Sequence, residues 1–248
     1  MLKIKKESLN IKPLFLFLKK YLLDLIFPKK CLNCKKEGTF FCEDCFSLID
    51  INPFQYCFCD HPQKIITPGQ CPKCSKKFLN GIYSAVDFQN PQVKNLIYNF
   101  KYQNQLKELA YPLSLLILIH LYLIKKYFPP NSVLVPVPLF LKKKKRRGFN
   151  QSEEIGKIIS KKIKIPLILD NLIRIKDTFP QAKLNKEQRQ ENIKNAFVVK
   201  NKKTFQRKIV FLLDDVYTTG ATMQECAKIL KKSGAKQIWG LTVAREIK

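Results

Sequence analysis

The chain has 248 residues, with 46 Lys plus Arg against 19 Asp plus Glu and a formal net charge of +27. Its 46% apolar content supports a buried core, which excludes a disordered basic tail or a histone-like arm, and its length suits one ordinary domain plus a small module. Only six of the cations are Arg and the chain is crowded with Ile and Asn, so part of the charge is codon bias. The rest is uneven, +7 over residues 1–80, +3 over 81–140 and +17 over 141–248, and this places an anionic ligand or polymer in the C-terminal part.

Residues 1–28 read as an N-terminal amphipathic helical segment. Lys19, Lys20 and Asp24 interrupt its apolar character and no small-residue cleavage site follows. The stretch Leu113 to Ile124 contains Ser114 and His120 and falls short of the roughly 20 residues needed to span a bilayer. The expectation is a cytoplasmic protein without a membrane span.

Residues 29–80 form a cysteine-rich module. Eight of the nine cysteines fall into four close pairs, Cys31/Cys34, Cys42/Cys45, Cys57/Cys59 and Cys71/Cys74. Two thiolates separated by two residues make a knuckle, and two knuckles complete a tetrahedral four-sulfur zinc site. In chain order, Cys31, Cys34, Cys42 and Cys45 serve one metal and Cys57, Cys59, Cys71 and Cys74 the other, giving one or two structural zincs. Cys57-Phe58-Cys59 has one intervening residue instead of two, and His61 is close enough to replace a sulfur there. Structural zinc is favoured over disulfides, which need an oxidising compartment, and over an iron–sulfur cluster. About 45 residues hold too little core to fold alone, so metal binding supplies most of the module's stability. Cys226 stands apart and reads as a small buried hydrophobe.

Residues 81–248 alternate strands with helices. Gly81 to Phe88, Val133 to Val137, Ala196 to Val199, Ile209 to Leu213 and Gln237 to Ala244 read as strands. Ser152 to Ile163 and Thr222 to Lys232 read as helices, as does much of the segment between the first two strands. This order predicts an α/β fold, a mostly parallel sheet with helices on both faces.

The most informative stretch is Val210-Phe-Leu-Leu-Asp-Asp-Val-Tyr-Thr-Thr-Gly-Ala-Thr222. An apolar strand ends in two carboxylates, a short Thr- and Gly-rich loop follows, and a helix begins at about Thr222. Loop N–H groups and a helix N-terminus suit a phosphate, and Thr218, Thr219 and Thr222 add hydroxyl donors. Gly220 permits close backbone approach. Paired carboxylates repel a phosphate but accept hydrogen bonds from vicinal ribose hydroxyls.

This pattern resembles the phosphoribosyl pyrophosphate (PRPP) signature of type I phosphoribosyltransferases. Three further features accompany it: Val135-Pro-Val-Pro138, the run Lys142 to Gln151, and Phe179-Pro-Gln181 with Arg189, Asn192 and Ala196-Phe197. With the ending Leu241 to Arg245 and the cysteine pairs, the chain resembles the ComF family of competence-associated phosphoribosyltransferase-like proteins from about Phe27 to Arg245. The resemblance implies a type I phosphoribosyltransferase-like domain preceded by a double zinc ribbon. It also implies that Asp214 and Asp215 bind ribose hydroxyls and that Val216, Tyr217, Thr218, Thr219, Gly220, Ala221 and Thr222 bind the 5′-phosphate. Pro136, Val137 and Pro138 would approach the pyrophosphate in a turn reaching Leu139, with one non-trans peptide. Arg146, Arg147, Lys183 and Arg189 would balance its charge, and Asp177 to Glu191 would be a mobile loop closing over PRPP.

Mg²⁺ on the pyrophosphate and ribose oxygens would then serve transfer of phosphoribose to an acceptor base, without an acid–base dyad. His61 and His120 have no catalytic part in this reading. The acceptor side would be covered by residues 81–128 or Leu167 to Lys176. A non-enzymatic alternative uses the fold to bind PRPP or a related nucleotide, while the module and basic surface hold single-stranded DNA or a helicase-like ATPase of the transformation machinery. The cations of Lys142 to Arg147 suit PRPP or a DNA backbone equally, and a solvated turn also accounts for them.

Overall fold

In a computed structural model, residues 28–57, 59, 63–65, 71–74, 77–102, 106–178 and 186–246 are described. The expected N-terminal helical segment, His61, Phe179-Pro-Gln181 and Lys183 lie outside these residues. The chain runs through α1 (Glu43–Ser47), the antiparallel pair β1 (Gln55–Tyr56) and β2 (Lys64–Ile65), β3 (Gly81–Asp87), α2 (Pro91–Lys101) and α3 (Ala110–Leu123). It continues with β4 (Ser132–Pro136), α4 (Leu141–Arg147), α5 (Gln151–Ile163), β5 (Leu172–Arg174), α6 (Lys186–Ile193) and β6 (Phe197–Val199). β7 (Ile209–Tyr217), α7 (Ala221–Lys232) and β8 (Gln237–Arg245) complete it.

β3, β8, β7 and β4 lie side by side in that order, and every neighbouring pair is parallel. β5 and β6 pair antiparallel apart from this sheet. Consecutive strand residues project to opposite faces, and β7 divides accordingly. Phe211 and Leu213 join Leu134, Leu241 and Val243 in a core with Leu113 and Leu116 of α3 and Ile155 and Ile159 of α5. Val210 and Leu212 join Val133, Val135 and Ile238 against Met223, Ala227 and Leu230 of α7. Burial on both faces explains why residues 210–213 are an unbroken apolar run. The α/β architecture with flanking helices and a cysteine-rich N-terminal module is therefore as expected.

The cysteine module straddles these layers. Cys31, Cys42 and Cys45 are buried in the core beside α3, and Cys57 and Cys74 in the core beside α7. Cys226 is fully buried among the second set, where desolvation pushes its thiol well above the ordinary range. His120 is also fully buried, with Nδ1 2.7 Å from the carbonyl of Asn52, and desolvation lowers its pKa.

Three local expectations need correction. The basic run Lys142 to Arg147 lies in the helix α4, where a solvated turn was one reading. Gly148 stops it in the left-handed conformation at φ 74°, and its cations crowd the last turn, where they complement the helix dipole. β7 runs past the two carboxylates to Tyr217, because β8 continues the ladder opposite Asp214, Val216 and Tyr217. No cis peptide bond occurs among the described residues, so the turn over Pro136–Leu139 lacks the expected non-trans peptide. That turn is held by Val137 N–H donating to the Leu213 carbonyl at 2.8 Å and Asn150 Nδ2 donating to the Val137 carbonyl at 3.0 Å.

Candidate functional site

β7 feeds α7 on one face of the sheet, whereas β4 leads to α5 on the other. The two adjacent strands therefore part at their C-terminal ends, the place where open α/β sheets hold ligands. A cavity of about 960 Å³ opens there, a size suited to a small organic ligand. Asp214 and Asp215 form part of its wall with Val216, Tyr217, Thr218, Gly220, Ala221 and Thr222.

Gly220 takes φ 75° and serves as the N-cap of α7 without a side-chain cap, so the first N–H groups of this helix are presented beside the cavity. Opposite, Asn150 fixes two elements at once. Its Oδ1 accepts from Ser152 N at 3.1 Å and starts α5, and its Nδ2 holds the turn bearing Val137 and Pro138.

The two carboxylates are held differently. Asp214 Oδ1 accepts from Ser152 Oγ at 3.2 Å and from Asp215 N at 2.9 Å. Asp215 Oδ1 lies 2.7 Å from Lys101 Nζ, with both side chains largely buried. Burial and the charge of Asp215 push the Asp214 carboxyl up to about 7, against the opposing pull of Lys101. Burial opposes the charge on Lys101, but the two carboxylates hold its ammonium above its usual range.

Around them the cavity wall is cationic, with Lys143, Arg146 and Arg147 from α4, Arg174 from β5 and Arg189 from α6. Arg189 Nη1 donates to Thr218 Oγ1 at 3.3 Å, which joins α6 to the phosphate-loop candidate. Lys143 Nζ donates to the Thr178 carbonyl at 2.7 Å, and Arg174 donates to the Thr178 hydroxyl. This field favours a ligand carrying several negative charges.

The sequence-based candidates converge here with exceptions. Val137, Pro138, Arg146, Arg147 and Arg189 line the cavity with the carboxylates, but Pro136 ends β4 as a buried residue outside the lining. Thr219 does not line it either; its Oγ1 accepts from Ala221 N at 3.5 Å. The end of the expected mobile loop is the helix α6, and 179–185 lie outside the described residues. Within the segments expected to cover the acceptor side, Phe88, Lys94, Tyr98, Lys101, Tyr102 and Arg174 line the cavity. Sequence reasoning missed Lys101, Ser152 and Arg174 as individual site residues. The Lys101 signal is visible only as one member of a helical stripe.

The eight paired cysteines gather into two groups as chain order suggested, Cys31, Cys34, Cys42 and Cys45 in one and Cys57, Cys59, Cys71 and Cys74 in the other. Within each group all four sulfurs lie within 4.8 Å of one another. Four soft sulfur donors at this spacing fit one tetrahedral zinc, whose Zn–S bonds of about 2.3 Å set sulfurs nearly 4 Å apart. Both groups could hold structural zinc, and the short Cys57/Cys59 spacing still brings its sulfurs together. Against the desolvation of burial, backbone N–H groups of Cys34, Cys42 and Asn33 hold the Cys31 thiol down at about 6.

Among the described residues no helix is long and apolar enough to cross a membrane. No family model matches the chain. It is 31% identical over 237 residues to Competence protein F of Haemophilus influenzae, covering 88% of this chain and 98% of the relative. It is 31% identical to the DNA utilization protein YhgH of Escherichia coli K12 over 61% of this chain and 67% of the relative. Competence protein ComFC of Bacillus subtilis is 29% identical over 49% of this chain and 48% of the relative. With near-complete coverage of the Haemophilus protein at this identity, the chain belongs to the ComF family.

Proposed function

We propose that this chain binds PRPP with Mg²⁺ at Asp214, Asp215 and the loop Val216 to Thr222, and that it does so in DNA uptake during natural competence. One observation carries the ligand reading. Two carboxylates near the end of β7 are followed, after Val216 to Thr219, by a glycine-capped helix N-terminus, and both line one cation-lined cavity. The carboxylates suit ribose hydroxyls, the helix start suits the 5′-phosphate, and Arg146, Arg147 and Arg189 suit the pyrophosphate. The names of the relatives, competence and DNA utilization proteins, support the biological role.

Hard carboxylate oxygens fit Mg²⁺, which when bound would neutralise charge on pyrophosphate and ribose oxygens. The protein's own contribution is to orient the sugar phosphate and surround the leaving group with fixed positive charge. Calorimetric titration with PRPP and Mg²⁺ tests this. The wild type should bind and the Asp214→Asn/Asp215→Asn variant should not; equal heats from both proteins would overturn the assignment.

A second reading, single-strand binding, is favoured by the way α4 divides its cations. Lys142 and Lys145 are exposed and do not line the cavity. Reversing both charges should weaken salt-dependent single-stranded DNA binding while leaving PRPP binding intact, and a salt-independent interaction would refute this role.

A further inference from the structure

The cavity has two chemically different walls. α4 and β5 present Lys143, Arg146 and Arg174, whereas α2 and the residue after it present the rings of Tyr98 and Tyr102 beside Lys94 and Lys101. Helical spacing explains the second wall. Val93, Leu96 and Phe100 turn into the core, which leaves Pro91, Lys94, Tyr98, Lys101 and Tyr102 as a stripe along the cavity. Tyr98 and Tyr102 are each 53% exposed, so large aromatic faces stand open to solvent beside a charged site. Their ring centroids are 5.7 Å apart at an interplanar angle of 46°, and the Arg147 guanidinium lies 4.9 Å from the centre of the Tyr102 ring. The shelf is thus braced by a cation on one ring and keeps exposed surface for a flat partner.

We propose that Tyr98 and Tyr102 form a stacking platform for the nucleobase of a nucleoside 5′-phosphate whose sugar phosphate occupies the loop at Thr218–Thr222. This rests on the sugar-phosphate reading of that loop. The phosphate lies on the loop with its charge balanced by the cationic wall, and the base, the flat and weakly polar part of such a ligand, faces the rings. Asn95, the amide on the same helix, has its groups engaged: Nδ2 donates to the Leu32 carbonyl at 3.2 Å and Oδ1 accepts from Asn99 at 2.9 Å. Recognition through ring faces tolerates different bases, because every base has a π-face.

The test is calorimetric titration of the full chain with ribose 5-phosphate and with AMP, each with Mg²⁺, read as the ratio of the two affinities. Wild type should bind AMP more tightly by about fivefold or more, the range for one stacked base. Tyr98→Ala/Tyr102→Ala should bring the ratio close to one, whereas Tyr98→Phe/Tyr102→Phe, which keeps the rings, should preserve it. Equal affinities in wild type, or a ratio unchanged by the alanines, overturn the platform while the loop reading survives. Failure of wild type to bind ribose 5-phosphate at all defeats the loop reading and the platform with it.

Discussion

The guanidinium of Arg245, at the end of β8, donates to the main-chain carbonyl of Cys57 and also to that of Cys59. Its Cζ lies 5.6 Å from the centre of the Tyr217 ring, where β7 ends. One buried cation therefore joins the second cysteine cluster to the strand that carries Asp214 and Asp215. Its own charge is disfavoured by burial, and these acceptors compensate. Arg245→Met would leave both carbonyls without this donor, at a cost of about 3 kcal/mol for charged hydrogen bonds lost from a buried site. Unfolding at graded denaturant, with zinc counted after dialysis against a chelator, should show lower stability and earlier metal loss. Unchanged stability and metal retention would refute the link.

The metal reading makes a count. Protein purified without added metal should carry up to two zincs per chain, and Cys71→Ser should remove one of them. The lost ion belongs to the cluster whose Cys57 and Cys74 are packed beside α7, so the variant should also unfold more readily. Inductively coupled plasma analysis with thermal unfolding checks both. Iron in place of zinc would contradict the assignment.

What could be read in the chain beforehand follows from range. The apolar run 210–213, the loop to Thr222 and the cysteine pairs are local patterns, each a few residues long with a direct physical meaning. Lys101 pairs with a carboxylate 114 positions away, and Arg245 reaches Cys57 across 188. Nothing near either residue signals its partner, since only the stacking of strands brings them together. α4 was obscured for another reason. A run of like charges reads as solvated chain, and a single glycine after it, Gly148, signals a helix stop only once the run before it is known to be helical.

Asp214 sets a pH dependence. Its carboxyl is raised from the ordinary range near 4 up to about 7 in the folded protein. As pH rises, the unfolded chain releases this proton first, so the group subtracts stability progressively between about pH 4 and 7 and most fully above 7. Asp214→Asn should therefore stabilise the protein at pH 8, with the gain fading toward pH 4. Ligand binding runs the other way. Ribose hydroxyls need an ionised acceptor, so affinity for ribose 5-phosphate should strengthen more from pH 6 to 8 in wild type than in the Asn variant. Denaturant midpoints and titrations at both pH values measure the two effects, and parallel pH profiles would refute the role of Asp214.

Gly220 is the most exacting position in the loop. Its φ of 75° is unfavourable for a residue with a side chain, at roughly 1 kcal/mol, and a Cβ there would collide with the hydroxyl end of the Tyr217 ring. Tyr217 is buried with its ring beside Arg245, so it has little freedom to yield. Gly220→Ala should consequently displace the start of α7, destabilise the protein by about 2 kcal/mol or more and weaken PRPP binding at least tenfold. The companion Gly220→Ala/Tyr217→Ala, which removes the hydroxyl and the ring carbons that the Cβ would meet, should bind PRPP about as well as Tyr217→Ala alone. That outcome would locate the defect in this contact; binding as weak as in Gly220→Ala, with Tyr217→Ala alone still binding, would place the fault in the left-handed backbone.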